Sequence, residues 1–172
     1  MAESLKKTVL FVCTGNYFRS RLSEILFNHY AQARGLEWTA ISRGLANPIT
    51  WKGISDAAIK FLLIKELQEQ AQNIRDPLAM KLEELEQAEL VIVLNRQEHQ
   101  PMMKMKFGLL AKMLEEKGRV RYWNVYDLPQ NVSLFTRLFN AEISNASQLE
   151  ESSTEHIDFG IRALVDELMQ AE

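Results

Sequence analysis

Short apolar runs alternating with segments of helical period predict an α/β protein. The expected architecture has three layers, α/β/α, around a central parallel sheet of about four strands. Three observations carry this expectation. "TVLFVC" (8–13) and "ELVIVLN" (89–95) are continuous apolar runs, as in strands covered on both faces. Helical patterns stand between the runs, so crossovers join the strands, right-handed by default. The first run ends in a cysteine and a Gly-Asn turn that leads straight into a helix.

Taken in order, residues 8–13 form the first buried strand. Over 20–34, Leu22, Ile25, Leu26, His29 and Ala33 recur at helical spacing. "EWTAIS" (37–42) alternates like a strand, and Gly44 with Asn47-Pro48 then breaks the chain. A short helix follows over 54–63, and "KLEELEQA" (81–88) is a polar helix before the strand at 89–95. Residues 97–117 have a helical pattern interrupted near Pro101 and Gly108. "RVRYWNVYD" (119–127) alternates and is the expected last strand, and "IDFGIRALVDELMQ" (157–170) is the closing helix. Residues 130–156 differ, being rich in Asn, Ser, Gln and Glu around an apolar patch of Leu134, Phe135, Leu138, Phe139 and Ile143. With no internal repeat or linker, residues 1–172 read as one domain with a divergent segment at about 130–156.

The 172 residues are 47% hydrophobic and 25% charged, enough for a real core, and the net charge is −3. That balance argues against a general nucleic-acid or membrane binder. No apolar run approaches the roughly 18 residues needed to span a bilayer. The apolar run after Lys6-Lys7 is shorter than the about 7–15 residues of a signal-peptide core, so a cytoplasmic protein is expected. A single cysteine forms no intrachain disulfide, which agrees with a reducing compartment. The three histidines, His29, His99 and His156, match no metal-ligand spacing.

The stretch "VCTGNYFRSRLSE" concentrates the chemistry. Cys13 closes a strand and a helix opens near Ser20, so "CTGNYFR" lines the crevice beyond the carboxyl ends of a parallel sheet. Gly15 and Asn16 tolerate positive φ, and successive N–H groups in such a loop converge on an anion. The helix end adds a positive field, and Arg19 adds a planar fork that matches two phosphate oxygens. The same field stabilises a Cys13 thiolate, which beneath a bound phosphate is a nucleophile aimed at phosphorus. A lone cysteine ending a strand is ordinarily a small apolar residue; the ordered combination of strand, Cys, Gly-Asn turn, Arg-Ser and helix is what points to a site.

"CTGNYFRS" resembles the C-x-G-N-x-C-R-S-P loop of the low-molecular-weight protein tyrosine phosphatases, whose fold arsenate reductases share. "ISRGL" (41–45) is similar to the family's S-x-G segment. "IRDPLAMKLEELEQAELVIVLN" resembles its R-x-L segment, polar helix and third strand, and "YWNVYD" resembles the strand before its catalytic aspartate. The resemblance implies a phosphomonoesterase that needs no metal or other cofactor. Cys13 would attack phosphorus and form a phosphocysteine. Backbone amides across Thr14, Gly15, Asn16, Tyr17, Phe18 and Arg19, with the Arg19 side chain, would hold the phosphoryl oxygens. Asn16 would support the loop with Ser42 as a partner, Ser20 would donate to the thiolate, and Asp127 would protonate the leaving oxygen.

The departures from the family pattern are specific. Phe18 stands where the family has a second cysteine, Arg21 where it has proline, and Leu128 intervenes between Asp127 and Pro129. Without the second cysteine the chain lacks a protective disulfide at the site. Arg21 is expected to add charge near it, and Tyr17 and Trp51 are candidate walls of a substrate pocket. Two other functions stay open at this point. One is arsenate reduction, which with Cys13 alone requires an external thiol. The other is a non-catalytic oxyanion-binding interaction module. The expected partner is a phosphorylated protein or a small phosphomonoester, with phosphotyrosine, phosphoarginine and small metabolites undecided; the oligomeric state is open.

Overall fold

The computed structural model describes residues 7–47, 51–72, 74–127 and 140–172, with the backbone alone for 140–147. The elements run β1 (Lys7–Cys13), α1 (Arg19–Arg34), β2 (Trp38–Gly44), α2 (Asp56–Ile64), α3 (Gln68–Gln72), α4 (Leu82–Gln87), β3 (Leu90–Val93), α5 (Arg96–Glu116), β4 (Val120–Tyr122) and α6 (Asn140–Ala171). The strands form one sheet in the order β2-β1-β3-β4, and every pairing is parallel.

Burial follows the pleat. Val9, Phe11 and Cys13 of β1 point into one core, with residues of α1, α2, α3 and α6. Leu10 and Val12 point into the other, with Leu85 of α4 and Met103, Ala111 and Leu114 of α5. Side chains of a strand alternate between faces, so one apolar run serves both layers. The helices begin and end where local chemistry dictates. Ser55 caps α2 by accepting from the Ala58 N–H, and Asn95 caps α5 by accepting from the Glu98 N–H. Gly35 ends α1 in the left-handed conformation at φ 70°.

The expected α/β/α architecture is the one observed. Two boundaries differ by more than two residues. β4 stops at Tyr122 instead of running to Asp127: the Trp123 and Val125 N–H groups bond to the carbonyls of Val93 and Leu94, and Asn124 makes an antiparallel bridge with Asn95. The closing helix is helical from Asn140, not from 157. Its inward positions at 153 and 154 are buried polar residues, Ser153 bonding to the Tyr126 carbonyl and Thr154 to the Glu150 carbonyl, which hides the helical period. α3 has only Ala71 buried and gave no periodic signal. The interruption expected within 97–117 falls at Gly108, whose φ of 50° and ψ of −123° kink α5, whereas Pro101 sits inside the helix. Pro48, Leu128, Pro129 and the patch Leu134, Phe135, Leu138 and Phe139 lie outside the described residues, as does the side chain of Ile143.

Candidate active site

The sheet order reverses direction between β1 and β3, and in such sheets ligands bind beyond the carboxyl ends at that point. Cys13 stands there at the end of β1, buried at 3% exposure. The main-chain N–H groups of Thr14, Gly15, Asn16, Tyr17 and Phe18 donate to no acceptor among the described residues. A run of unpartnered amides beside a helix N-terminus is a nest for an anion.

Asn16 holds the loop's shape. It is fully buried and left-handed, with φ 53°. Its Nδ2 donates to Ser20 Oγ at 2.9 Å and Ser42 Oγ at 2.8 Å. Its Oδ1 accepts from the Arg75 guanidinium and the Leu78 N–H, both at 3.0 Å. Because Ser20 Oγ accepts from Asn16, its own hydrogen is left for Cys13 Sγ, 3.0 Å away. That hydroxyl stabilises a thiolate on Cys13 by a charge-assisted bond. Behind the loop, Glu24 binds Arg21, Arg75 and the Ser42 hydroxyl.

Arg19 is 1% exposed and reaches the crevice from the first turn of α1. Its Nη2 lies 2.9 Å from Asp127 Oδ2, although Asp127 is five residues beyond the end of β4. The irregular run 123–127, stitched to the end of β3, carries Asp127 there. Arg19 also makes a two-pronged contact with Glu98, at 2.7 and 2.9 Å. Burial alone would lower the Arg19 pKa, but hydrogen bonding to Glu98 and the nearby negative charges of Cys13, Asp127 and Glu98 raise it. Burial would raise that of Glu98, but donors on His99, Arg19 and Thr14 hold it well below the usual carboxylate range.

The mouth is narrow. Cys13, Gly15, Tyr17, Phe18, Arg19, Trp51 and Asp127 line it. The Trp51 ring lies so directly on Gly15 that a β-carbon there would sit 1.6 Å from it. Tyr17 packs beside Trp51 at a centroid distance of 5.6 Å. Phe18, in the place of a second cysteine, belongs to the core cluster with Leu22 and Leu26.

The structure thus brings Cys13, Thr14, Gly15, Asn16, Tyr17, Phe18, Arg19, Ser20, Ser42, Trp51 and Asp127 to one place. Arg21, expected to add charge near the site, is instead buried behind the loop and paired with Glu24 at 2.6 Å. Asp158, a buried aspartate of α6, is not part of the site: it faces Tyr30, Lys65 and Arg162. Sequence reasoning gave no role to Glu98 or to Arg75, although Arg75 stands in the segment likened to the family's R-x-L segment. Glu98 looks like an ordinary first-turn acid of a helix, and Arg75 lies in an irregular stretch.

A cysteine at the base of an amide nest, with a buried arginine and a facing carboxylate, stands at the carboxyl end of the sheet of an α/β/α fold, an arrangement suited to thiol chemistry on an oxyanion. The family model described as low molecular weight phosphotyrosine protein phosphatase matches residues 8–133, and the chain belongs to that family. It is a cysteine-dependent phosphatase, a hydrolase of that type. Among solved structures, a low molecular weight phosphotyrosine phosphatase from Vibrio cholerae O395 is similar, with TM-score 0.72 and 18% identity over 96% of this chain and 98% of that one. A low molecular weight protein tyrosine phosphatase from Bacillus subtilis has TM-score 0.67 and 22% identity, covering 95% and 97%. The YwlE arginine phosphatase from Geobacillus stearothermophilus has TM-score 0.67 and 18% identity, covering 96% and 94%. These identities speak to the fold alone. A search of curated proteins found no significant match.

Proposed function

We propose that this chain hydrolyses phosphomonoesters of the phosphotyrosine type through a phosphocysteine intermediate. The observation that carries the reading is Cys13 Sγ, 3.0 Å from the Ser20 hydroxyl, at the base of five main-chain N–H groups with no acceptor among the described residues. In the first step the Cys13 sulfur attacks phosphorus while the loop amides and Arg19 take the equatorial oxygens. Asp127 gives its proton to the departing oxygen. In the second step Asp127 takes a proton from water, which attacks phosphorus and expels the thiolate stabilised by Ser20. A thiol nucleophile works best in a reducing compartment, which keeps the cytoplasm as the proposed location.

A second substrate reading has its own support. Asp127 and Glu98 are two carboxylates at the site, and Tyr17 and Trp51 are its aromatic walls. Carboxylates and aromatic faces suit a guanidinium, and one fold neighbour is an arginine phosphatase. The deciding experiment is a panel of phosphotyrosine, phosphoarginine and small phosphomonoesters, with thiol-dependent arsenate turnover alongside, on wild type and Cys13→Ser. Cys13→Ser is expected to abolish hydrolysis while still binding phosphate, since the amide nest and Arg19 remain. Hydrolysis at the wild-type rate by Cys13→Ser would remove the hypothesis. Turnover of arsenate alone would assign the reductase, and phosphate binding without either turnover would assign the non-catalytic module.

A further inference from the structure

Arg19 already has nearly all of its hydrogen-bonding capacity engaged. A guanidinium offers five N–H donors in a fixed fork. Nη1 donates to Glu98 Oε2 at 2.7 Å and to the Val125 carbonyl at 3.3 Å. Nη2 donates to Glu98 Oε1 and to Asp127 Oδ2, both at 2.9 Å. Only the Nε–H is left, buried and without a partner among the described residues. The Glu98 carboxylate therefore makes the planar two-pronged contact with Arg19 that two phosphoryl oxygens would make.

Glu98 is held in this pose by more than Arg19. The Thr14 hydroxyl donates to Glu98 Oε1. His99 Nε2 lies 3.2 Å from the same oxygen and 3.1 Å from Thr14 Oγ1. His99 Nδ1 accepts from the Asn95 N–H at 3.0 Å, which places the ring proton on Nε2, where it donates. The Glu98 side chain is 35% exposed and sits in the first turn of α5, so rotation of its own bonds is enough to carry it into water.

We propose that Glu98 is an internal competitor for the phosphoryl position: its carboxylate occupies the fork of Arg19, and an oxyanion binds by displacing it. This rests on the reading that the oxyanion sits over Cys13 and Arg19. The charges require an exchange. Two carboxylates already face one guanidinium, and a phosphoryl dianion added to them would leave like charges crowded around a single cation. Exchange holds down affinity for free phosphate, the product. It favours substrates that bring further contacts outside the phosphoryl group, because those contacts offset the displacement.

The test is calorimetric titration of inorganic phosphate into wild type, Glu98→Gln and Glu98→Ala. Thermal unfolding of each protein checks that it is folded, and the isosteric Gln variant carries the test if the Ala variant does not fold. Both variants are expected to bind phosphate at least about tenfold more tightly, the scale of one charge-assisted hydrogen bond. KM for an aryl phosphate is expected to fall in parallel. Weaker or unchanged phosphate binding in a folded variant, with wild type still binding, would overturn the competitor and make Glu98 a support that positions Arg19. If none of the proteins binds phosphate, the oxyanion site itself is wrong and the competitor falls with it.

Discussion

Asp127 and Glu98 both reach Arg19, but they are not equivalent acids. Glu98 accepts from Arg19, Thr14 and His99 and is held ionised, so it has no proton to give at working pH. Asp127 lines the mouth beside Cys13, where a leaving group would depart. That division of labour favours Asp127 as the proton donor although Leu128 follows it. Asp127→Asn is therefore expected to slow phosphoryl transfer by roughly 10²–10⁴-fold for poor leaving groups. Nitrophenolate needs little protonation and should be slowed much less. Single-turnover rates across a series of aryl phosphates measure this directly. Equal slowing across the series would assign the proton to another group.

At the scale of elements, α6 shows what the sequence concealed. Ile157, Ile161, Leu164, Val165 and Leu168 form its buried stripe, and they mark a helix in the sequence as well. One turn earlier, Ser153 and Thr154 take the inward positions, so the stripe stops in the sequence while the helix continues. Truncating the fully buried Ile161 to Ala should cost about 2–5 kcal/mol, read as a lower urea midpoint. KM should be unchanged, because Ile161 sits in the core under the sheet and is not among the residues that line the mouth. The four strands and the cysteine loop were legible because continuous or alternating apolar runs and a Gly-Asn turn are local signals. Glu98 and Arg75 were not legible, because their roles come from tertiary approach. Glu98 meets Arg19 across 79 positions, and Arg75 meets Asn16 across 59.

Across the whole molecule, the site gathers the ends of β1 and β3 and the run after β4, so its charges are linked to global stability. In the folded protein Glu98 binds its proton more weakly than an ordinary glutamate of about 4.3. Its contribution to stability is full above that unfolded value and is lost as pH falls through the lower folded one. Glu98→Gln removes this contribution. The gap in Tm between wild type and Glu98→Gln should be widest near neutral pH and should narrow as pH drops below about 4. Scanning calorimetry over that range measures it, and a gap independent of pH would show that Glu98 carries no such linkage.

The contact of Trp51 with Gly15 bears on how this pocket can change over evolutionary time. The largest side chain of the mouth rests on a residue with none, and a methyl group at position 15 would collide with the ring. Position 15 cannot gain a side chain alone: bulk gained there requires bulk lost at 51. The pair is a unit of variation through which the entrance can be widened or closed while Cys13, Asn16 and Arg19 stay as they are. Paired libraries at 15 and 51, screened on substrates of different bulk, would show whether the entrance sets substrate choice.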